Sequence, residues 1–370
     1  MASRYHFALA TGADDAELRT LIRRVPMGGP VRIAFQREPS FFAAERVGAL
    51  SVDVIAGRDR TAGRIVGFGS RSTRRLFVNG APARVAYLSS LRSLPEIRGG
   101  TLLARGYRAL RELHTEPPPP YCVTTILDDN PAAKRLLTSR RAGLPVYKEI
   151  GGLRTYAITP ASCTPARASG RLTVARGSRA TLGRILDFIN RNNAQFQFAP
   201  CHRPEDFEPG GLFPDFNPEH FYTASLNGAL LGVAAAWDQG RFKQTAITGY
   251  SGAFSCVRPF YNLYASLTDR PRLPDIGEPL RFFYLSFVAV DSSAPDAFPA
   301  LLERICMEMK GRGHDYLLIG VGERHPLRAA LDTLRSRVIT SRVYAVSWPE
   351  FGPAAAELDG RPPHLEIATL

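Results

Sequence analysis

The chain has 370 residues, 45% apolar, 10% aromatic and 22% charged, enough apolar material for a sizeable core and too much for wholesale disorder. No apolar run nears the roughly 18 residues that span a bilayer, and the first residues lack the basic start and long apolar stretch of a secretory leader. Lys and Arg total 47 against 34 Asp and Glu, a formal charge of +13. That suits an anionic ligand, but the arginines are scattered and do not by themselves outline a nucleic-acid surface.

In chain order, residues 5–9 read as a strand and 13–24 as a helix with Asp14 and Asp15 in its first turn. A second helix is expected over 39–48. Strand-type runs follow at 51–56, 64–70, 74–79 and 83–93, with Asn79-Gly80 marking a hairpin. The stretch LRSLPEIRGG then leads into a helix over 101–114, whose Leu102, Leu103, Tyr107, Leu110 and Leu113 recur at helical spacing. TEPPPP ends that helix. YCVTTIL, 121–127, reads as a buried strand. Asp129 or Asn130 caps a helix with Pro131 in its first turn and Gly143 past its end. Strands at 145–150 and 153–158 close this half.

Residues 159–170 have linker composition. Beyond them RLTVARG reads as a strand and 178–192 as a helix, and 196–220 is aromatic, Pro-rich and irregular. That stretch has two readings, an acceptor-binding lid or an aromatic loop packed in a seam. Strands are expected at 221–226, 229–237, 243–250 and 280–290, and RPFYNLYASL, 258–267, as a strand or short helix. A helix over 296–312, the strand DYLLIGV, a helix over 325–336 and a strand over 338–348 follow, and HLEIATL reads as a last edge strand. The order of elements in the first half thus returns in the second without repetition of sequence. The expected organisation is an N-terminal domain 1–158, a linker 159–170 and a C-terminal domain 171–370.

Cys122, Cys163, Cys201, Cys256 and Cys306 lie far apart, with neither metal-ligand spacing nor a disulfide framework. They read as reduced thiols of a cytoplasmic protein. His114, His202, His220, His314 and His325 form no metal pattern, so no metal is expected. GVGERH, with Gly320 and Gly322, is too short for a dinucleotide fingerprint and reads as a plain strand-to-helix turn.

The chemistry concentrates on the quoted loop. A helix N-terminus offers free backbone N–H groups and a positive dipole end, glycines let a phosphate approach, and Arg98 adds charge. YLSSLRSLPEIRGG together with ILDDNPAAKRLLTSRRAGLPVY resembles the GNAT (GCN5-related N-acetyltransferase) superfamily. The match covers about residues 83–147, with Asn130, Ala133 and Leu136 on the family's Asn-x-x-Ala-x-x-Leu pattern. The resemblance implies an α+β fold with two tandem GNAT-like domains, each a mixed, mostly antiparallel sheet flanked by helices. It implies an N-acyltransferase using acetyl-CoA or another acyl-CoA, with no metal. Arg98, Gly99, Gly100 and Thr101 would hold the pyrophosphate. Backbone groups at Leu91 and Ser93 would hold the pantetheine arm and polarise the thioester carbonyl. Asn130 would bond near the thioester or cap its helix. The family loop runs Arg-x-x-Gly-x-Gly or Ala, and here those last positions fall on Thr101 and Leu103.

The family's tyrosine after the motif leucine is Leu137 here, which leaves Tyr147 as the nearest replacement acid. Tyr87, Ser89 and Ser90 are the polar residues of the preceding strand, and Asp53 and Glu96 are the nearby acids. The second half carries no Arg-Gly loop in FVAVDSSAPDAFPALL and is expected to be degenerate. The acceptor would be a small-molecule or peptide amine, with no membrane partner. Two rival functions remain at this stage: an aminoacyl-tRNA-dependent transferase, the one case in which tRNA would be a partner, and a non-catalytic binding protein.

Overall fold

The computed structural model describes residues 4–29, 31–97, 101–116, 119–160, 163, 172–268, 271–348 and 357–370. The first half runs β1 (Tyr5–Leu9), α1 (Asp15–Arg24), β2 (Val31–Gln36), α2 (Phe41–Glu45), β3 (Ser51–Asp59), β4 (Arg64–Val78), β5 (Ala81–Ser93), α3 (Leu102–Glu112), β6 (Tyr121–Leu127), α4 (Pro131–Leu137) and β7 (Val146–Ile158). The second runs β8 (Thr173–Arg176), α5 (Leu182–Asn193), β9 (Phe221–Leu226), β10 (Ala229–Trp237), β11 (Gln244–Tyr250), α6 (Ala253–Leu267), β12 (Phe282–Val290), α7 (Ala297–Met309), β13 (Tyr316–Gly322), α8 (Arg328–Asp332) and β14 (Ser336–Ser347).

The two expected sheets are one. Twelve strands run in the order β1-β3-β4-β5-β6-β14-β7-β13-β12-β10-β9-β8. Every neighbour pair is antiparallel except β5–β6 and β12–β13. The last strand of the second half, β14, lies between β6 and β7, and β7 passes on to β13. A second, two-stranded sheet pairs β2 with β11, again one strand from each half. Backbone hydrogen bonds therefore tie the halves together in both sheets.

Local chemistry explains the elements. α1 buries Leu18, Leu21 and Ile22 at helical spacing, under β3 and β4. Asn79 and Gly80 turn the β4–β5 hairpin with φ of 52° and 83°, the left-handed pair of a two-residue loop. α3 buries Tyr107, Ala109 and Leu110 on Ala86, Leu88, Cys122 and Ile126. α7 lays Phe298, Leu301, Leu302 and Ile305 on the other half of the sheet.

Several expected elements change. The runs 64–70 and 74–79 are one strand, as are 145–150 and 153–158. VRIAFQ, to which the sequence pattern assigned nothing, is β2. Residues 258–267 belong to helix α6, with Pro259 inside it. Of 196–220, Phe207, Phe213 and Phe216 pack with Phe188, Phe221, Trp237 and Phe287, so these rings are core, not a lid. HLEIATL is no edge strand: it ends in a single 3-10 turn, Ile367–Thr369, with Leu365, Ile367 and Ala368 buried. The Cys163 and Cys306 thiols, 143 residues apart, meet at 2.8 Å. Among the described residues, no helix is long and apolar enough to cross a membrane, and no His, Cys, Asp or Glu group could hold a metal ion.

Candidate active site

β5 and β6 run parallel and pair at Val85–Tyr121, Ala86–Cys122 and Tyr87–Val123, and then part, although β5 continues to Ser93 and β6 to Leu127. A bulge drives them apart. Ser70 faces Ser89 while Phe68 faces Arg92, and Ser90 takes φ 55°. Past Tyr87 the backbone of β5 no longer pairs with that of β6, though Leu88 O accepts from Thr124 Oγ1 at 2.7 Å and Leu91 O from Arg92 Nη1 at 3.0 Å. Leu91 is exposed, and Ser89 and Ser93 are half-buried along this edge. Further along the chain Thr101 is the N-cap of α3, and its side chain makes no capping hydrogen bond to the first-turn N–H groups. Arg98, Gly99 and Gly100 lie outside the described residues.

A buried polar cluster adjoins the bulge on the face away from α3. Ser90 Oγ donates to Glu45 Oε1 at 3.0 Å. Arg37 Nε stands 3.7 Å from the same oxygen. Arg74 lies 4.8 Å over the Tyr87 ring and donates to Ser72 Oγ and to Thr369 Oγ1. Lys243 Nζ donates to Leu370 O at 2.9 Å. Tyr87 and Thr125 share a hydroxyl hydrogen bond of 2.8 Å.

Burial sets the titration of the cluster. It pushes Arg74 down to about 10 and Lys243 well below its usual range, and the Arg37 and Arg74 charges push Lys243 the same way. Burial raises the Tyr87 phenol, so it keeps its proton. Arg37 Nε and Gln239 Oε1 are buried without a hydrogen-bond partner among the described residues.

The other sequence candidates fall elsewhere. Tyr147 sits on the α3 face, its hydroxyl bonded to Tyr107. Asn130 accepts from Ala133 N at 3.1 Å and caps α4, one of its two expected roles. Asp53 is consumed by Arg71 and Thr115, which fix the end of α3. Glu96 is exposed beside Arg64. The sequence reading passed over Glu45, Arg74 and Lys243, because nothing in their spacing ties a short helix, a strand and a turn after β10 together.

The second half repeats the geometry and closes it. β12 and β13 pair over Phe282–Tyr316 to Tyr284–Leu318 and part beyond, with Phe287 at φ 55° in the matching bulge. Here residues 363–369 fill the parting. Phe287 N donates to Glu366 Oε2 at 2.9 Å. A Cβ on Gly320 would stand 2.1 Å from Ile367, and one on Gly322 would stand 2.2 Å from Pro363 O. The two glycines lie within β13, not in a strand-to-helix turn, and their missing side chains admit the segment.

No family model and no curated protein matches the sequence. Solved structures do match in fold. A Saccharomyces cerevisiae N-myristoyltransferase with bound myristoyl-CoA aligns over 94% of this chain and 83% of its own, with TM-score 0.57 and 12% identity. A GCN5-related glucosamine N-acetyltransferase region of a fungal multi-domain GH3 β-N-acetylglucosaminidase aligns over 93% of this chain and 38% of that longer one, with TM-score 0.62 and 12% identity. The chain shares the GNAT-type fold of these acyltransferase structures over nearly its whole length.

Proposed function

We propose that the protein is an N-acyltransferase that takes acyl-CoA in the parting of β5 and β6 and passes the acyl group to an amine. The observation that supports it is the parting itself, with the Ser90 bulge at its mouth and α3, whose N-cap side chain makes no capping hydrogen bond, following in the chain. Edge groups from Ser89 to Ser93 hold the pantetheine arm, and the first turn of α3 with Arg98, Gly99 and Gly100 holds the pyrophosphate. A backbone N–H at the bulge polarises the thioester carbonyl. The amine enters from the polar cluster. Glu45, bonded to the bulge, accepts the amine proton, and Tyr87, held protonated, supplies one to the departing thiolate. The amine nitrogen bonds to the carbonyl carbon, and the C–S bond breaks.

The likeness to a myristoyl-CoA-bound structure makes a long acyl chain as eligible as acetyl. The second half, filled by residues 363–369, holds no acyl-CoA. Calorimetric titration with acetyl-CoA and myristoyl-CoA tests the reading. Micromolar binding of one of them, weakened about tenfold by Thr101→Glu through charge at a helix N-terminus, is expected. Absence of binding by both would overturn it and return attention to aminoacyl-tRNA as donor.

A further inference from the structure

The second half holds a cavity unrelated to either strand parting. It lies at the N-terminal ends of β12 and β13, where His314 packs edge-on against Phe283 at 5.3 Å, while the parting opens at their C-terminal ends. Its volume is about 560 Å³, within the roughly 300–1,000 Å³ of small-molecule sites. Phe216, Tyr222, Ala236 and Met309 give it apolar walls.

The polar groups around those walls are unevenly committed. Arg176 lies 4.4 Å over the Tyr222 ring and is paired with Glu308, which also accepts from the Tyr222 hydroxyl at 3.0 Å. Asp238 is held by His314 Nε2 at 3.0 Å and by Gly240 N at 2.7 Å. Those charges are spent. Arg241, by contrast, is 85% exposed and stands 3.6 Å from Asp215, a loose contact. Arg312 has no ion-pair partner among the described residues. His220 Nδ1 accepts from Asn217 N at 3.3 Å, which leaves the proton of the neutral ring on Nε2 as a donor. Burial and the Arg176 charge hold His220 below its usual range, so the ring is neutral near pH 7. The cavity therefore combines the Arg312 guanidinium, the loosely held guanidinium of Arg241, a histidine N–H and apolar side chains.

We propose that this cavity is a second ligand site, one that takes a small phosphomonoester with a flat apolar body. The phosphate meets Arg312 and Arg241 with the His220 N–H, and the body lies on Phe216, Tyr222 and Met309. A dianion draws Arg241 from its loose contact with Asp215, while Asp238 stays held by His314 and Gly240. The site stands apart from the acyl-CoA reading and survives its failure.

Phenyl phosphate is the probe, titrated calorimetrically into the full-length protein at low salt. Saturable binding is expected, tighter than that of phenol or inorganic phosphate alone. The Arg241→Glu, Arg312→Glu double variant should weaken it by about tenfold or more, and higher salt should weaken it too. Both side chains are on the surface, so the variant should keep the wild-type Tm and its acyl-CoA titration. No saturable binding in the millimolar range, undiminished binding in the double variant, equal binding of inorganic phosphate, or displacement by acyl-CoA would each overturn the proposal.

Discussion

Glu45 is the side chain on which the proposed chemistry turns. It is buried, bonded to Ser90 of the bulge, and is the one acid of the cluster that touches the parted strand. Glu45→Gln keeps the shape and removes the proton acceptor. It should lower kcat about 100-fold while acyl-CoA binding stays within a factor of a few. An equal loss of binding would make Glu45 a structural residue. A second residue-scale prediction concerns acid. Burial holds His202 at about 3 and His364 at about 4, below the ordinary 6.5. The unfolded chain therefore binds more protons than the folded one below about pH 6.5, and stability falls as pH drops from there toward about 4. The slope should reach about 1.4 kcal/mol per pH unit for each histidine. His202→Phe, among Phe207, Phe213 and Phe287, should flatten that slope in denaturant unfolding at a series of pH values. An unchanged slope would mean His202 does not govern it.

At the scale of elements, the same parted pair occurs twice with opposite outcomes. The proposed function puts a ligand in the gap between β5 and β6, whereas between β12 and β13 residues 363–369 occupy it. Gly320→Ala and Gly322→Ala put a methyl group into that packed segment. Each should destabilise the protein by about 1–3 kcal/mol, read as a lower Tm, with the larger effect where backbone is met at Gly322. Wild-type stability in both variants would show that the segment does not pack there. Much of this scale was legible. Asn79-Gly80 announced its hairpin, Asn130-Pro131 its capped helix, and residues 83–114 their strand, loop and helix, though not the parting of β5 from β6. The bulge at Ser90 was not, because no glycine marks its positive φ. The closing segment was not either: HLEIATL alternates like a strand, and only the missing side chains of Gly320 and Gly322, far upstream, give it somewhere to go.

For the whole molecule, the decisive feature is the exchange of strands. The repeated order of elements was visible in the sequence, yet strand partners are long-range and leave no local trace. β14 bonds to β6 and β7 together, so neither half completes its sheet alone. Residues 1–158 and 171–370 expressed separately should each lack a cooperative unfolding transition, and co-expression should restore one. Two independently folding fragments would contradict the interlocked sheet. If one parting takes acyl-CoA and the other cannot, hydrogen–deuterium exchange with saturating acyl-CoA reads both at once. Slowed exchange is expected at residues 88–93 and in the first turn of α3, with no change at 285–290 and 317–322. Protection of 285–290 and 317–322, with 88–93 unaffected, would contradict it.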